Sequence, residues 1–190
     1  MTEERVKYYG RDDWAYGHNM QKIEKMTIPD IEDIDINDIS HALSLMTRAN
    51  GHYKYFYSVA QHSINCYKEA VARNYSKKVQ LACLLHDASE AYISDITRPV
   101  KKNLSEYRVI EKNIQDKIYR KFLGEDLNEN EIKFIGDIDD CILHFEFIEL
   151  MGVTREDFHC ECNAKFDFSK RDFEEVEREF LEIFKSFNKF

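Results

Sequence analysis

The sequence predicts an all-α protein, a helical bundle of about six helices preceded by an irregular arm over residues 1–36. Three observations carry the prediction. Apolar residues recur at spacings of three and four through most of the chain beyond residue 36. Only 6 Gly and 2 Pro occur, which is little punctuation for a protein made of many tight turns. No two segments alternate apolar and polar residues well enough to pair as strands. At 190 residues the chain can bury a sizeable core without staples, so residues 1–190 read as a single domain.

In the arm, Tyr8, Tyr9, Trp14, Tyr16 and Met20 suggest a segment that packs onto the body. The acidic stretch from Pro29 to Ile36 is extended in character and leads to a helix cap at Asn37 or Asp38. Ile39, Ala42, Leu43 and Met46 share one face of the first helix, which breaks at Ala49-Asn50-Gly51. A second helix, about residues 57–74, lines up Val59, Ala60, Ser63 and Cys66. A third, about 77–93, lines up Val79, Ala82, Cys83, His86, Glu90 and Ile93, and Pro99 then stops any continuation. Ile110, Ile114, Ile118 and Phe122 mark a fourth helix closed by Gly124, the favoured residue just past a helix end. Ile132, Ile135, Asp139, Ile142 and Glu146 mark a fifth. Phe173, Val176, Phe180, Ile183, Phe184 and Phe187 make the last helix strongly amphipathic, a core element whose wide Phe face could also serve a homodimer.

Charge and cysteine usage narrow the function classes. Lys plus Arg is 27 against 36 Asp plus Glu, a net charge of −9. That balance argues against a general nucleic-acid or anionic-membrane binder, and leaves room for a small phosphorylated ligand held by a few local cations. Five Cys cannot all pair within one chain, and their spacing is not that of a secreted disulfide framework. The N-terminal segment has no apolar core of a signal peptide, and no apolar run reaches membrane-spanning length. The expectation is a cytoplasmic protein with reduced thiols. His159-Cys160-Glu161-Cys162 could hold zinc, but no second Cys pair completes a common zinc motif, so these read as incidental thiols.

The informative positions are ionisable residues on apolar stripes. His86 continues the stripe of Val79, Ala82 and Cys83, with Asp87 beside it and Glu90 beyond. A lone His there reads as a satisfied core histidine; a His-Asp pair with a further Glu reads as a site, since burying such groups together is costly unless they are paired or metal-bound. Asp139 points with Ile135 and Ile142, whereas Asp137, Asp140 and His144 fall nearer the polar face. Asp139 is open to a structural salt bridge or a ligand role. His62, among Val59, Ala60 and Ile64, is the third anomaly. Together they make a nitrogen and oxygen donor set for one divalent cation, in which imidazole suits Zn, Fe, Ni, Co or Mn.

These residues resemble the H…HD…D signature of the HD-domain metal-dependent phosphohydrolases. His62 within Tyr57-Ser-Val-Ala-Gln-His-Ser, His86-Asp87 within Leu84-Leu-His-Asp-Ala-Ser-Glu, and Asp139 with Glu146 carry the likeness. The segments around Ser40-His41 and Asp95-Ile-Thr-Arg98 look like a subgroup similar to the bacterial HD-type 5′-nucleotidases. The resemblance covers roughly residues 30–150. It implies that His62, His86, Asp87 and Asp139 bind one divalent transition metal, and that Glu90 and Asp95 are catalytic acidic residues near the reacting water. Arg48 and Arg98 are the chosen phosphate ligands, with His52 and Lys101 as further substrate-binding candidates, though each also reads as solvated surface. Tyr53, Tyr55, Phe56 and Tyr57 offer a base-stacking wall or core. The chain lacks the HHE and GYP elements of the cyclic-di-GMP-degrading branch. Ala91 stands where hydrolases of guanosine tetraphosphate carry an acidic residue.

The expected activity is therefore hydrolysis of a nucleotide phosphate ester, 5′-nucleotidase-like on nucleoside monophosphates. The alternatives are a phosphodiesterase or pyrophosphohydrolase of a signalling nucleotide, a metal-containing nucleotide sensor without turnover, and a helical adaptor in which His62, His86 and Asp139 never meet.

Overall fold

The computed structural model describes residues 14–16, 22–24, 29–154 and 160–187. The body is all-α. In the arm, strands β1 (Trp14–Tyr16) and β2 (Lys22–Glu24) pair antiparallel with Trp14 opposite Glu24, a short ribbon that the sequence patterning did not show. The expected packing of Tyr8, Tyr9, Trp14, Tyr16 and Met20 lies outside the described side chains.

Helix α1 (Ile36–Leu45) begins earlier than expected, because Asp35 is extended and its carboxylate accepts from Asn37 N at 2.7 Å. The approach to it turns at residues 31–33 rather than running fully extended, with Asp33 N donating to Asp30 O. After α1 a 3-10 turn (Arg48–Gly51) carries Ala49, Asn50 and Gly51 at positive φ. Its ends are clamped: Arg48 N donates to Tyr57 O and Val59 N to Met46 O. Helix α2 (Val59–Ala72) opens with a reciprocal Ser58–Gln61 capping box.

Helix α3 (Lys77–Leu85) is shorter than the 77–93 stripe implied. Across residues 86–89 the chain tightens to i→i−3 bonds, Ala88 N to Leu85 O and Glu90 N to Asp87 O, before one further turn, α4 (Glu90–Ile93). Three residues per turn instead of ~3.6 rotates Glu90 away from the phase of His86. Pro99 does more than end a helix. It sits in the first turn of a short α5 (Arg98–Lys101), where its missing N–H costs nothing. Helix α6 (Ser105–Leu123) ends on left-handed Gly124 as expected. Helix α7 (Glu129–Glu146) starts at an Asn128–Glu131 capping box and runs into a π-helical turn (Phe147–Met151). Helix α8 (Phe173–Phe187) closes the order.

The main core joins Ile39 and Leu43 of α1, Ile64 of α2, Leu84 and Leu85 of α3, Ile114 and Ile118 of α6, and Val176, Phe180 and Phe184 of α8. The middle of the Phe face of α8 thus lies in the core, while Phe173 at its start is exposed. A second cluster, Cys66, Ala70, Val79, Cys83, Ile135, Ile138 and Ile142, packs α2, α3 and α7 together. Ile110 and Ile132, which open two of the expected stripes, are exposed. His144, placed by phase nearer the polar face, is buried.

A polar ladder organises the rest. Gln61, Asn65 and Glu69 recur every four residues on α2 and are all buried. Gln61 Nε2 donates to Ser169 O, Asn65 exchanges bonds with the backbone of Asp167, and Glu69 accepts from Asn163 N and Ala164 N. The irregular segment 160–169 is laid along α2 by these bonds. One consequence corrects the expectation of five reduced, incidental thiols: the ladder brings Cys160 against Cys141 of α7, and the two are joined as a disulfide. Among the described residues no helix is long and apolar enough to cross a membrane.

Candidate metal centre

Three helices and one loop deliver the site. α2 presents His62 and, one turn on, Cys66; the end of α3 presents His86 and Asp87; α7 presents Asp139 and Glu146; the turn after α1 presents Arg48. His62 Nε2 lies 3.0 Å from Asp139 Oδ1, 3.1 Å from His86 Nε2 and 3.8 Å from Asp87 Oδ2. His86 Nε2 lies 3.4 Å from Asp87 Oδ2 and 3.8 Å from Asp139 Oδ1. The four residues read as ligands from the sequence therefore converge on one point. The structure adds Cys66, whose Sγ is 3.4 Å from His62 Nε2, and the buried His62, Cys66 and His86 group could hold a metal ion.

Both rings are oriented from behind. His62 Nδ1 is 2.6 Å from Glu146 Oε1, and His86 Nδ1 is 2.8 Å from Cys83 O. A proton shared with those acceptors leaves both Nε2 atoms facing the centre, the arrangement that outer partners impose on metal-binding histidines. Glu146, fully buried, also accepts from Tyr53 OH at 2.9 Å and faces Arg48 Nε at 3.4 Å. Asp139 Oδ1 is buried without a well-aligned hydrogen bond from the described residues.

Such a cluster needs positive charge, and the electrostatics show where the protein finds it. Burial disfavours the charged form of Arg48, but Glu146, Asp87 and Asp139 outweigh it and raise its pKa well above the ordinary value. Burial alone would push Asp139 up; the rings of His62 and His86 hold it well below the usual carboxylate range. Asp87 is likewise lowered, with burial outweighed by His86, Arg48 and His62. His62 is raised despite burial and the nearby Arg48, chiefly by Cys66 and Glu146. A proton on His62 and a divalent ion compete for the same nitrogen, so ion affinity weakens as pH falls. The donor set fits a borderline transition ion: two imidazoles, two carboxylates and an adjacent thiol.

The remaining candidates divide. Arg48 sits inside the cluster, 3.0 Å from Asp87 Oδ2 and 3.5 Å from Asp139 Oδ1, rather than at an open mouth. Arg98 pairs with Asp139 Oδ2 at 2.5 Å and with Asp140. Lys101 Nζ pairs with Glu111 at 2.5 Å and lies 3.6 Å from Glu90 Oε1. Their cationic charge is thus already met by carboxylates. His52 is exposed. Tyr53 and Tyr57 are buried beside Leu150, which makes them core and a support for Glu146 rather than an open stacking wall.

Glu90 is buried, and its Oε2 has no hydrogen-bond partner among the described residues. Burial first, then Asp87 and Asp95, push its pKa well above the ordinary value; burial also raises Asp95. A carboxyl whose folded pKa is raised costs stability as pH climbs from its unfolded value towards the raised one. Glu90→Gln is therefore expected to raise the melting temperature of chelator-treated protein at neutral pH. The gain should vanish as pH falls below the ordinary carboxylate range; an equal gain at acid pH would refute the assignment.

A cavity of about 770 Å³ opens between α6 and α7, with His86, Asp87 and Asp139 on one wall. Arg108 and Lys112 of α6 also line it, as do Tyr119, Ile132 and Gly136. Arg48, His52, Glu90, Asp95, Arg98 and Lys101 are not among its lining residues. Arg108 and Lys112 escaped the sequence reading because they stand on the polar face of an amphipathic helix, where solvated charge is the ordinary occupant.

No family model matches the chain. An uncharacterized protein of Escherichia coli, YfdR, is 41% identical over 91 residues, 48% of this chain and 48% of that protein. An uncharacterized protein of Rhodobacter capsulatus is 43% identical over 74 residues, 36% of this chain and 37% of that protein. The chain spans about half or less of the length of these curated relatives.

Proposed function

We propose that the chain is an HD-type metal-dependent phosphohydrolase that cleaves a phosphate ester of a nucleotide, with nucleoside monophosphates as its substrates. The observation that supports this best is the meeting of His62, His86, Asp87 and Asp139, from three separate helices, with both ring Nε2 atoms aimed at one point beside a cavity. These four side chains would hold one divalent transition ion: Mn, Co, Ni, Fe or Zn. A divalent ion so held supplies a lowered pKa for bound water and polarisation of a phosphoryl oxygen. The protein's own groups do the rest. Arg48, held by Asp87, Asp139 and Glu146, would supply fixed positive charge beside the reacting phosphate rather than a free grip on it. Burial, with Asp87 and Asp95 nearby, raises the affinity of the Glu90 carboxyl for its proton. In this reading Glu90 and Asp95 both exchange a proton with phosphate oxygens. Arg108 would receive the anionic substrate in the cavity, beside Lys112, which is paired with Asp116 at 2.6 Å.

The first experiment is a substrate panel after chelation, with Mn, Co, Ni, Fe, Zn or Mg restored singly. Nucleoside monophosphates, cyclic and linear dinucleotides and nucleoside triphosphates are followed by product chromatography. Metal-restored release of phosphate from monophosphates is expected. Cleavage confined to dinucleotides would replace the nucleotidase with a phosphodiesterase. Binding without product in any metal would replace the enzyme with a nucleotide sensor.

Two variants report on the parts. Glu146→Gln removes the charge behind His62 Nδ1 while keeping its shape, and ion affinity measured by chelator competition should fall about 10- to 100-fold. Arg108→Ala should raise KM about tenfold with kcat unchanged, as loss of a contact made equally in ground and transition states does. An unchanged KM would remove Arg108 from the substrate site.

A further inference from the structure

Three sulfurs meet where segment 160–169 crosses α7. The Sγ atoms of Cys141, Cys160 and Cys162 lie within 4.8 Å of one another. Cys141 is buried on α7 and joined to Cys160, yet Cys162 Sγ approaches it to 3.0 Å. A two-cysteine staple would leave no purpose for the third sulfur. The backbone that carries the Cys-x-Cys pair is held on both sides: Arg73 Nη2 donates to Glu161 O, between the two cysteines. Glu69 accepts from Asn163 N and Ala164 N just after them. Side-chain bonds from α2 thus hold the Cys-x-Cys backbone in place against the third cysteine on α7, a pre-set donor cluster rather than three scattered thiols. The lack of a second Cys pair, which left Cys160 and Cys162 unassigned by sequence, is met in space by Cys141.

We propose that, in the protein with reduced thiols, Cys141, Cys160 and Cys162 bind one soft divalent ion of the zinc type, as a structural site that ties segment 160–169 to α7. Opening the Cys141–Cys160 bond takes two electrons and two protons from a dithiol reductant, which becomes a disulfide. Ion binding then forms three metal–sulfur bonds and releases three thiol protons to solvent, with no change in the metal's oxidation state. Sulfur donors select a soft or borderline ion, and structural sites of this type close with four ligands. The three sulfurs leave one position of a tetrahedral ion to a further donor. This inference does not depend on the proposed reaction, although Cys141 follows Asp139 by two residues on α7.

The test is metal content and cobalt spectroscopy on the full chain, purified with a dithiol reductant. One equivalent of zinc should survive dialysis in Asp87→Ala, which empties the other centre. Cobalt-exchanged protein should show the intense near-ultraviolet absorption of thiolate-to-metal charge transfer, retained in Cys66→Ser and in Asp87→Ala. Cys160→Ser and Cys162→Ser should each lose that band and one metal equivalent. The wild-type chain alone also decides: a strong chelator should release the ion and increase the number of thiols that react in the folded protein. No retained zinc and no sulfur band in reduced Asp87→Ala would overturn the proposal. So would a count of three thiols instead of five after denaturation of protein prepared with reductant, which would mark a disulfide resistant to reduction.

Discussion

Asp87→Ala is expected to strip the ion from the His62–His86–Asp139 centre and to abolish turnover. Asp87 Oδ2 faces both ring nitrogens, at 3.8 Å from His62 and 3.4 Å from His86, and takes a bond from Arg48 Nη1 at 3.0 Å. Its removal takes one hard donor from the set and leaves Arg48 to Glu146 and Asp139. Metal chemistry at a phosphoryl centre contributes several kcal/mol to the transition state; losing about 4 kcal/mol lowers kcat about a thousandfold. Metal analysis of the variant, with circular dichroism to establish its fold, is the check. Hydrolysis at wild-type rate by metal-free Asp87→Ala would sink the proposed reaction outright.

The largest effect on stability is expected away from the centre, at Glu69. Its carboxylate is fully buried and accepts from Arg73 Nε at 2.7 Å, Asn163 N at 3.0 Å and Ala164 N at 2.9 Å. Glu69→Ala removes the acceptor of two backbone donors and of Arg73 Nε, while Arg73 Nη2 keeps its bond to Glu161 O. Each unsatisfied donor costs about 1–3 kcal/mol, so a loss of about 3 kcal/mol or more follows. For a chain of this length that corresponds to a fall of roughly 6–12 °C in melting temperature. Glu69→Gln keeps one acceptor oxygen and should lie between. Because the bonds hold segment 160–169, the same variant, once reduced and treated with chelator, should expose Cys160 and Cys162 to thiol reagents before global unfolding. A melting temperature within 2 °C of wild type, roughly 1 kcal/mol, would show that the ladder does not hold that segment.

Local rules account for what was legible. The six long helices, Gly124 as a C-terminal stop and the Asp139 stripe position all follow from residues three or four apart on one helix. His62, His86, Asp87 and Asp139 stood out because each interrupts an apolar run, and burial makes such interruptions costly. The same periodicity was present in Gln61, Asn65 and Glu69, but a polar stripe on a helix ordinarily faces water. Nothing local announces that residues 163–169 will lie across it. The break after Leu85 was missed because a 3-10 turn and an α-turn differ only in whether one bond spans three residues or four. Arg48 shows the limit for electrostatics: as sequence it is one cation in a loop, and its buried place among Asp87, Asp139 and Glu146 depends on two distant segments, the end of α3 and α7.

The sequence by itself determined the all-α class, most of the apolar stripe on each long helix and the residue types available for an ion, because helical periodicity and the cost of burying charge are properties of neighbouring residues. Only the tertiary structure decided that those donors meet at one point, that Glu146 and Cys83 O aim the rings, and that Cys141 reaches the Cys160–Cys162 pair. Those are relations between helices, set by how their apolar faces pack and by which buried polar groups find partners, and no periodicity within one segment encodes them.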